Sequence, residues 1–158
     1  MQLAADYLDY VNRTVDLLML DDARADGDTR LTQTLVQTDQ SGALITGIEM
    51  LVQRFLLELL TEQGSLQYLP TRGCSFMLDA RHGMWRTPGD VFASFSAAML
   101  DVKNNLIGDE SDSDPDDERF ASATLDSVAI NQDRVTMSIS LSSVAGVSRQ
   151  VVYPLRIT

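Results

Sequence analysis

The last quarter of the chain alternates apolar and small polar residues with a period of two. The apolar positions are Val128 and Ile130, then Val135, Met137, Ile139 and Leu141, and finally Val151, Tyr153, Leu155 and Ile157. Turn-forming residues at 131–133 and at Ala145-Gly146 separate these groups. Successive side chains of a strand point to opposite faces, so the pattern predicts three half-buried strands. Short turns between them predict an antiparallel meander.

The third predicted strand contains a proline that restricts its place in the sheet. Pro154 has no N–H to donate to a neighbouring strand, so we expect this strand at an edge, or with its N–H side toward solvent. A terminal edge strand is either blunted or used to pair with another chain. Where it is used, a partner adds its own strand. We assign Val151, Tyr153 and Leu155 to such a contact.

A helix with two apolar stripes is predicted upstream of these strands. Its core-facing stripe consists of Ile48, Val52, Phe55, Leu56 and Leu59. Gly64 is placed to take the left-handed conformation after the last turn, where we expect the helix to end. A thinner stripe, Met50 and Leu57, lies on another side of the helix. Either the chain's own residues cover this stripe, or it binds a partner, and the pattern leaves both alternatives open.

A second helix is predicted to begin at Thr87-Pro88. Threonine can cap the free N–H groups of a first turn, proline at the first helical position loses no hydrogen bond, and Asp90 lies where the helix dipole favours a carboxylate. Its apolar stripe consists of Val91, Phe92, Phe95, Met99, Val102 and Leu106, opposite Ser94, Asp101 and Asn105. We expect a surface helix with one buried face that ends at Gly108.

The length of 158 residues fits one domain. The patterns predict a single α+β domain, in which two main helices pack on a mostly antiparallel sheet that ends in a three-strand C-terminal meander. Residues 43–158 form its core. Residues 1–42 are harder to interpret, and we expect two extended segments that add to the sheet or form an arm toward a neighbour.

The segment after the first helix alternates extended and turn residues. This composition predicts a loop that leads into a short strand over residues 74–78. The string LLTEQGSLQYLPTRGCSFM, residues 59–77, resembles the lysozyme-like wedge subunit family of contractile phage tail baseplates, which has relatives in type VI secretion baseplates. The matching residues are Leu59, Leu60, Thr61, Gly64, Ser65, Tyr68, Pro70 and Gly73.

The resemblance covers residues 43–158. Family members open the final meander with a Glu-Pro-Arg motif, and Glu118-Arg119-Phe120 stands at that place, without the proline and after a longer acidic loop. The resemblance implies a structural baseplate wedge subunit in the virion. We expect neither enzymatic activity nor a cofactor. It implies that Glu118 and Arg119 contact a helical bundle of other wedge proteins, and that the C-terminal strands attach to the tail sheath. We expect assembly in the host bacterial cytoplasm and a monomer in isolation.

The charge of the chain argues against a nucleic-acid partner. The net charge is −11 and the isoelectric point is near 4.3, whereas neutralising phosphates needs clustered Lys and Arg. No apolar run approaches the roughly 20 residues that span a bilayer, and an N-terminus with Asp6 and Asp9 is not typical of a signal peptide. Membrane partners are therefore not expected.

Few residues of the chain suit catalysis or metal binding. Cys74 is the single cysteine, and we expect it to be a small buried apolar residue. His82 is the single histidine, so the chain lacks residues that a catalytic triad or a zinc site needs. The acidic run at 109–118 lacks the turn glycine of a calcium loop. We expect it to be a solvated, mobile loop whose charges repel one another.

Two alternatives to a structural subunit remain. The family's lysozyme label suggests an enzyme that acts on peptidoglycan, which needs two carboxylates facing a cleft, one kept protonated by apolar surroundings. Glu58 and Glu62 lie one helical turn apart, but on the most polar side of the helix, where we expect both to be solvated and ionised. The other alternative is a protein-binding module of the anti-adaptor type.

Overall fold

The computed structural model describes residues 11, 13–17 and 44–156. Most of the N-terminal region for which the sequence predicts extended segments lies outside these residues. Within them, strand β1 (Asp16–Leu17) pairs antiparallel with strand β2 (Leu44–Ile45). A short two-stranded sheet therefore brings a piece of the N-terminal region against the start of the first main helix.

Three helices follow, of which two are the main helices that the sequence predicts. They are α1 (Gly47–Leu60), α2 (Phe76–Arg81) and α3 (Pro88–Asp109). The expected N-terminal cap of α3 is confirmed, because Thr87 and Asp90 each accept a hydrogen bond from the other's backbone N–H. Gly108 does not end the helix, which continues to Asp109. Gly64 likewise lies in a turn beyond the end of α1, with φ of 84°.

The strand predicted over residues 74–78 is wrong, because the chain forms α2 there. Cys74 makes only an isolated bridge to Glu62 before the backbone turns helical. Phe76 is fully buried, and Met77 and Ala80 pack against the same core, at helical spacing. A short apolar run fits the period of a helix as well as that of a strand, so packing against the core decided which of the two forms.

The three C-terminal strands form the predicted antiparallel meander. They are β3 (Phe120–Asn131), β4 (Arg134–Ser143) and β5 (Ser148–Arg156), in the order β3-β4-β5. A tight turn with Gln132 at φ of 52° joins β3 to β4, and a loop containing Gly146 joins β4 to β5. The described part of the chain is therefore an α+β fold with a C-terminal meander.

The helices pack on one face of this sheet. The inward residues of β4 are buried, as the sequence predicts: Val135, Met137, Ile139 and Leu141. Phe55 of α1 joins the layers, since its ring lies 6.5 Å from that of Phe95 in α3 and 6.2 Å from that of Phe120 in β3. In the regions described, no helix is long and apolar enough to cross a membrane.

The buried face of α3 differs from the predicted one at two positions. Phe92 is 36% exposed, whereas Ser94 is buried. The Ser94 hydroxyl accepts a hydrogen bond from the indole N–H of Trp85 at 3.1 Å, which compensates for burying a polar group. The apolar pattern of the helix does not show this position as buried, because the partner of Ser94 lies outside α3.

Candidate partner-binding site

The side chains that the sequence assigns to a partner contact on β5 point into the domain. Val151 and Tyr153 are buried, and Leu155 is half-buried and packs against the core. Burial also raises the pKa of the Tyr153 hydroxyl. A partner at this strand would meet the backbone and the outward side chains before these three. Their role in binding stays a prediction, while their role in holding β5 on the domain is visible.

The direction of the β5 backbone groups follows from its pairing with β4. The Ser143 N–H donates to the Val147 carbonyl at 2.9 Å, just before the strand begins. Opposed residues of an antiparallel pair alternate between hydrogen-bonded and non-hydrogen-bonded pairs. The odd-numbered residues of β5 therefore bond to β4. The even-numbered ones, including Gln150 and Val152, direct N–H and C=O away from it.

Pro154 supports this assignment independently. It lies opposite Thr136, within a ladder that continues to the pair of Arg134 and Arg156. Because proline has no N–H, a strand tolerates it where that group would point away from the neighbouring strand. Pro154 belongs to the even-numbered set, so both observations orient β5 in the same way. In the sheet as described, β5 pairs with β4 alone and has the edge position that Pro154 predicts.

Sequence reasoning missed the outward residues of β5, although a signal was present. The parity of Pro154 marks Ser148, Gln150 and Val152 as the residues whose backbone faces the outer edge. The apolar pattern instead indicates the odd-numbered residues, because it describes side chains and not backbone groups. The side chains of the three residues are exposed on the outer face of the sheet.

The outer face of the sheet is polar and carries a shared carboxylate. Asp126 of β3 accepts hydrogen bonds from Ser140 of β4 at 2.5 Å, from Gln150 of β5 at 3.2 Å and from Thr124 at 3.1 Å. These bonds, the one from Ser140 first, hold the pKa of Asp126 below its ordinary value of 3.8. One side chain thereby links all three strands on the face opposite the helices.

Glu118, predicted to contact a partner, is bound within the chain. It is 1% exposed, and its Oε1 accepts the backbone N–H of Gly47 at 3.1 Å, in the first turn of α1. Arg13 lies 3.9 Å from the same oxygen and 2.6 Å from Asp117. Gly47 has φ of 60°, and a Cβ there would lie 2.9 Å from Asp117. The Glu118 region is therefore where β3, α1 and the N-terminal region meet.

Arg119 and Phe120 also have partners of their own chain. Arg119 lies 3.5 Å from Asp116 and 3.8 Å from Asp112, in exposed ion pairs. Phe120 is buried, and its N–H donates to Glu110 at 2.6 Å. Exposed ion pairs exchange at little cost, so a contact of Arg119 with another protein stays a prediction.

The two residues of the thin stripe on α1 differ in exposure. Met50 is 3% exposed, so for this residue the chain's own atoms provide the cover. Leu57 is half-buried. On the neighbouring side of α1, the Gln53 amide donates to Asp16 of β1 at 3.0 Å, which places the N-terminal region against this helix.

The expectation that Glu58 is solvated on a polar helix face is wrong. Its Oε2 accepts hydrogen bonds from the Gly73 N–H at 3.0 Å and from Asn105 of α3 at 3.1 Å. Arg72 lies 3.2 Å from its other oxygen and also pairs with Asp109. Glu58 therefore joins α1, α3 and the loop after α1. Glu62 forms a separate ion pair with Arg81 at 2.5 Å.

This network holds an exposed, uncharged loop in place. Residues 63–71 are all exposed and carry no charge, and Tyr68 at the tip is 87% exposed. The Cys74 N–H donates to the Thr61 carbonyl at 2.9 Å and closes the base of the loop. Only glycine fits at 73, because a Cβ would lie 2.2 Å from the Thr61 oxygen.

The acidic run at 109–118 is less solvated than the sequence predicts. Its interior residues Asp112 and Asp116 are exposed, but Glu110 and Glu118 bind the backbone at the starts of β3 and α1. Cys74 is buried as expected, and burial raises the pKa of its thiol to about 11. In the described part of the chain, no three His, Cys, Asp or Glu side chains are arranged to hold a metal ion.

No protein-family model matches the chain. No curated protein and no solved structure matches it either. Membership of the wedge subunit family therefore stays a prediction, which rests on the turn pattern of residues 59–77 and on the acidic-basic pair before β3. Function is therefore inferred from the geometry of the described residues, above all from the backbone of β5.

Proposed function

We propose that the chain is a structural subunit of a contractile phage tail baseplate wedge, and that its C-terminal meander attaches to the tail sheath by strand addition at β5. The observation that carries the proposal is the position of β5 at the edge of the sheet that the described residues form, with the backbone groups of Gln150 and Val152 directed away from β4. Unpaired backbone groups at a sheet edge are a template for another chain.

The geometry of the loop after α1 supports the family resemblance. Gly64 and Gly73, two of the residues that match the family's turn pattern, both have positive φ. The Thr61 carbonyl, a third matching position, bonds the backbone at the base of the loop. The two shared glycines are thus residues that the backbone of this loop requires, as expected if the resemblance reflects a common fold.

The charge of the chain is consistent with a subunit that meets its partners only during assembly. A net charge of −11 makes copies of the chain repel one another in solution. The isolated subunit is then a monomer. Repulsion between copies leaves the β5 edge available until a partner strand arrives.

The proposal is tested by light scattering on the purified chain, alone and mixed with the sheath and wedge proteins of the same tail. We expect a monomer that joins a larger complex. Arg119→Ala separates the two predicted contacts: it should weaken binding to the wedge proteins and leave sheath binding unchanged. If the wild-type chain joins neither sheath nor wedge proteins, the proposed function is wrong, and a screen for peptidoglycan hydrolysis with Glu58→Gln as control follows.

A further inference from the structure

We infer that the exposed side of α3 binds an amphipathic helix of another protein, one whose flank carries a carboxylate that faces Lys103. The contact surface is a stripe opposite the buried face of α3, which we call the outer stripe: Ala93, Ala97, Leu100, Asn104 and Ile107. The inference uses neither the edge of the sheet nor the residues before β3, so it stands apart from the proposed function.

The outer stripe is poor in charge for a side of a helix that faces solvent. Leu100 is 67% exposed and Ile107 is 45% exposed. Between residues 91 and 108, the only charged residues of α3 are Asp101 and Lys103, and neither belongs to the stripe. A helix that is apolar on two sides is typically covered on both. Since the core covers only one side of α3, we expect another protein surface to cover the other.

The spacing of the outer stripe favours a helix as the partner. Its members are separated by four, three, four and three residues, which is the repeat along which two helices pack side by side. The stripe spans about 21 Å of helix, close to four turns. Ala93 and Ala97 let another helix approach closely, because the distance between packed helices depends on the side chains at the contact. Asn104 is a polar residue of the kind that specifies the register of such a pair.

The charges at the two borders of the outer stripe specify the flanks of the partner helix. Lys103 is exposed along one border, and Asp101 is half-buried along the other. Among the residues that the structure describes, neither side chain forms an ion pair. The partner that fits therefore carries a carboxylate opposite Lys103 and no carboxylate opposite Asp101. Charges that flank an apolar seam determine which helix binds there.

A lipid surface is a poorer occupant of the outer stripe than a helix. Helices that lie on membranes carry Lys and Arg along their apolar side, where these residues attract anionic headgroups. In α3, the single lysine is outnumbered by three aspartates, which are Asp90, Asp101 and Asp109. Anionic headgroups would be repelled by this balance of charge, whereas one carboxylate on a partner helix can be placed at Lys103 alone.

The probe is a fluorescent peptide of about 15 residues, held helical by a covalent bridge because isolated helices of this length are marginal in water. Its seam is Leu, one flank is Glu and the other is Gln. Its binding to the full chain is followed by fluorescence anisotropy. We expect saturable binding that Leu100→Gln weakens about tenfold, because a large apolar side chain leaves the contact while helix propensity is nearly unchanged.

Leu69→Gln is the matched control for this substitution. Leu69 is 55% exposed, but it lies on the loop after α1 and not on the outer stripe. The Leu69→Gln variant should bind the peptide within about twofold of the wild-type chain. An equal loss of binding for the two variants would mean that the peptide does not bind at the outer stripe, and would overturn the inference.

A second peptide, with Lys in place of Glu, tests the charged flank. Lys103→Glu reverses the charge at one border of the stripe. It should weaken binding of the Glu peptide about threefold and should not weaken binding of the Lys peptide. A loss of binding for both peptides, or for neither, would contradict the pairing with Lys103 and overturn the partner that we infer.

Two other occupants of the outer stripe give different results. If other residues of this chain cover it, Leu100→Gln lowers the urea midpoint of unfolding more than Leu69→Gln does. If a second copy covers it, light scattering shows a dimer that Leu100→Gln converts to a monomer. Either result overturns the inference, as does a wild-type chain that fails to bind the Glu peptide. Equal midpoints for the two variants and a monomeric wild-type chain support it.

Discussion

The two outer strands of the meander lie at opposite edges of one sheet, yet they differ as surfaces for pairing. Along β3, the pairing with β4 shifts register at Ala121 and again at Asp126, which are the extra residues of two bulges. Along β5, the pairing runs without a shift from Ser148 to Arg156. Bulges bend a strand and interrupt its row of backbone groups. The chain therefore blunts one edge with bulges and limits the other with one proline.

The bulges of β3 and the proline of β5 interact with the rest of the sheet in different ways. The second bulge of β3 places Asp126 on the outer face, where it accepts hydrogen bonds from Ser140 and Gln150. Pro154 acts through the absence of a donor and requires no partner. A bulge costs the sheet part of its ladder, whereas a proline of the correct parity costs β5 none of its bonds to β4. β5 therefore keeps a regular ladder with β4, while its proline restricts how another chain can pair along its outer edge.

The largest effect is expected for a core residue of β4, the strand that pairs with both β3 and β5. Met137 lies in the central strand β4 and is fully buried, so Met137→Ala should lower the free energy of unfolding by about 2–5 kcal/mol. Urea denaturation measures this loss. Ser138→Ala, one residue away on the outer face, is the control and should change stability by less than about 0.5 kcal/mol. Similar losses for the two variants would contradict the assignment of faces.

A smaller effect tests the alternation along β5. Arg149→Pro removes an N–H that bonds to β4 and should cost about 1–3 kcal/mol. Gln150→Pro removes an N–H that points outward, together with an exposed side-chain bond to Asp126, and should cost less. Arg149 also pairs with Glu49 at 3.2 Å, so Arg149→Ala measures that exposed ion pair separately, at under about 1 kcal/mol. Thermal unfolding of the three variants gives the comparison. A larger loss for Gln150→Pro than for Arg149→Pro would mean that the backbone directions are reversed.

The smallest effect concerns the carboxylate that spans the strands at the β3 bulge. The pKa of Asp126 is lowered, so its contribution to stability is present above the ordinary value of 3.8 and is lost as the pH falls through the lowered value. Asp126→Asn should therefore lower the melting temperature at pH 7, and the difference from wild type should disappear on acidification. A difference that persists in acid would show that shape, and not charge, matters at this position.

Local patterns determined a large part of the fold. The period-two alternation of β4 predicts its buried face residue by residue, because the side chains of a strand alternate whatever surrounds it. Thr87, Pro88 and Asp90 likewise predict the start of α3, since a cap involves only neighbouring residues. The edge position of β5 follows from Pro154, because a missing donor is a property of the residue itself.

Only the tertiary structure decided the contacts between distant segments. The sequence shows Glu58 as one more polar residue of a helix, and its bonds to Gly73 and Asn105 exist because α3 and the loop fold against α1. Glu118 is buried because the first turn of α1 presents the Gly47 N–H to it from 71 residues away. The bulges of β3 were equally hidden, since register is a property of two strands together. Charge and apolarity along the chain are local, whereas burial and hydrogen bonding depend on which segments meet.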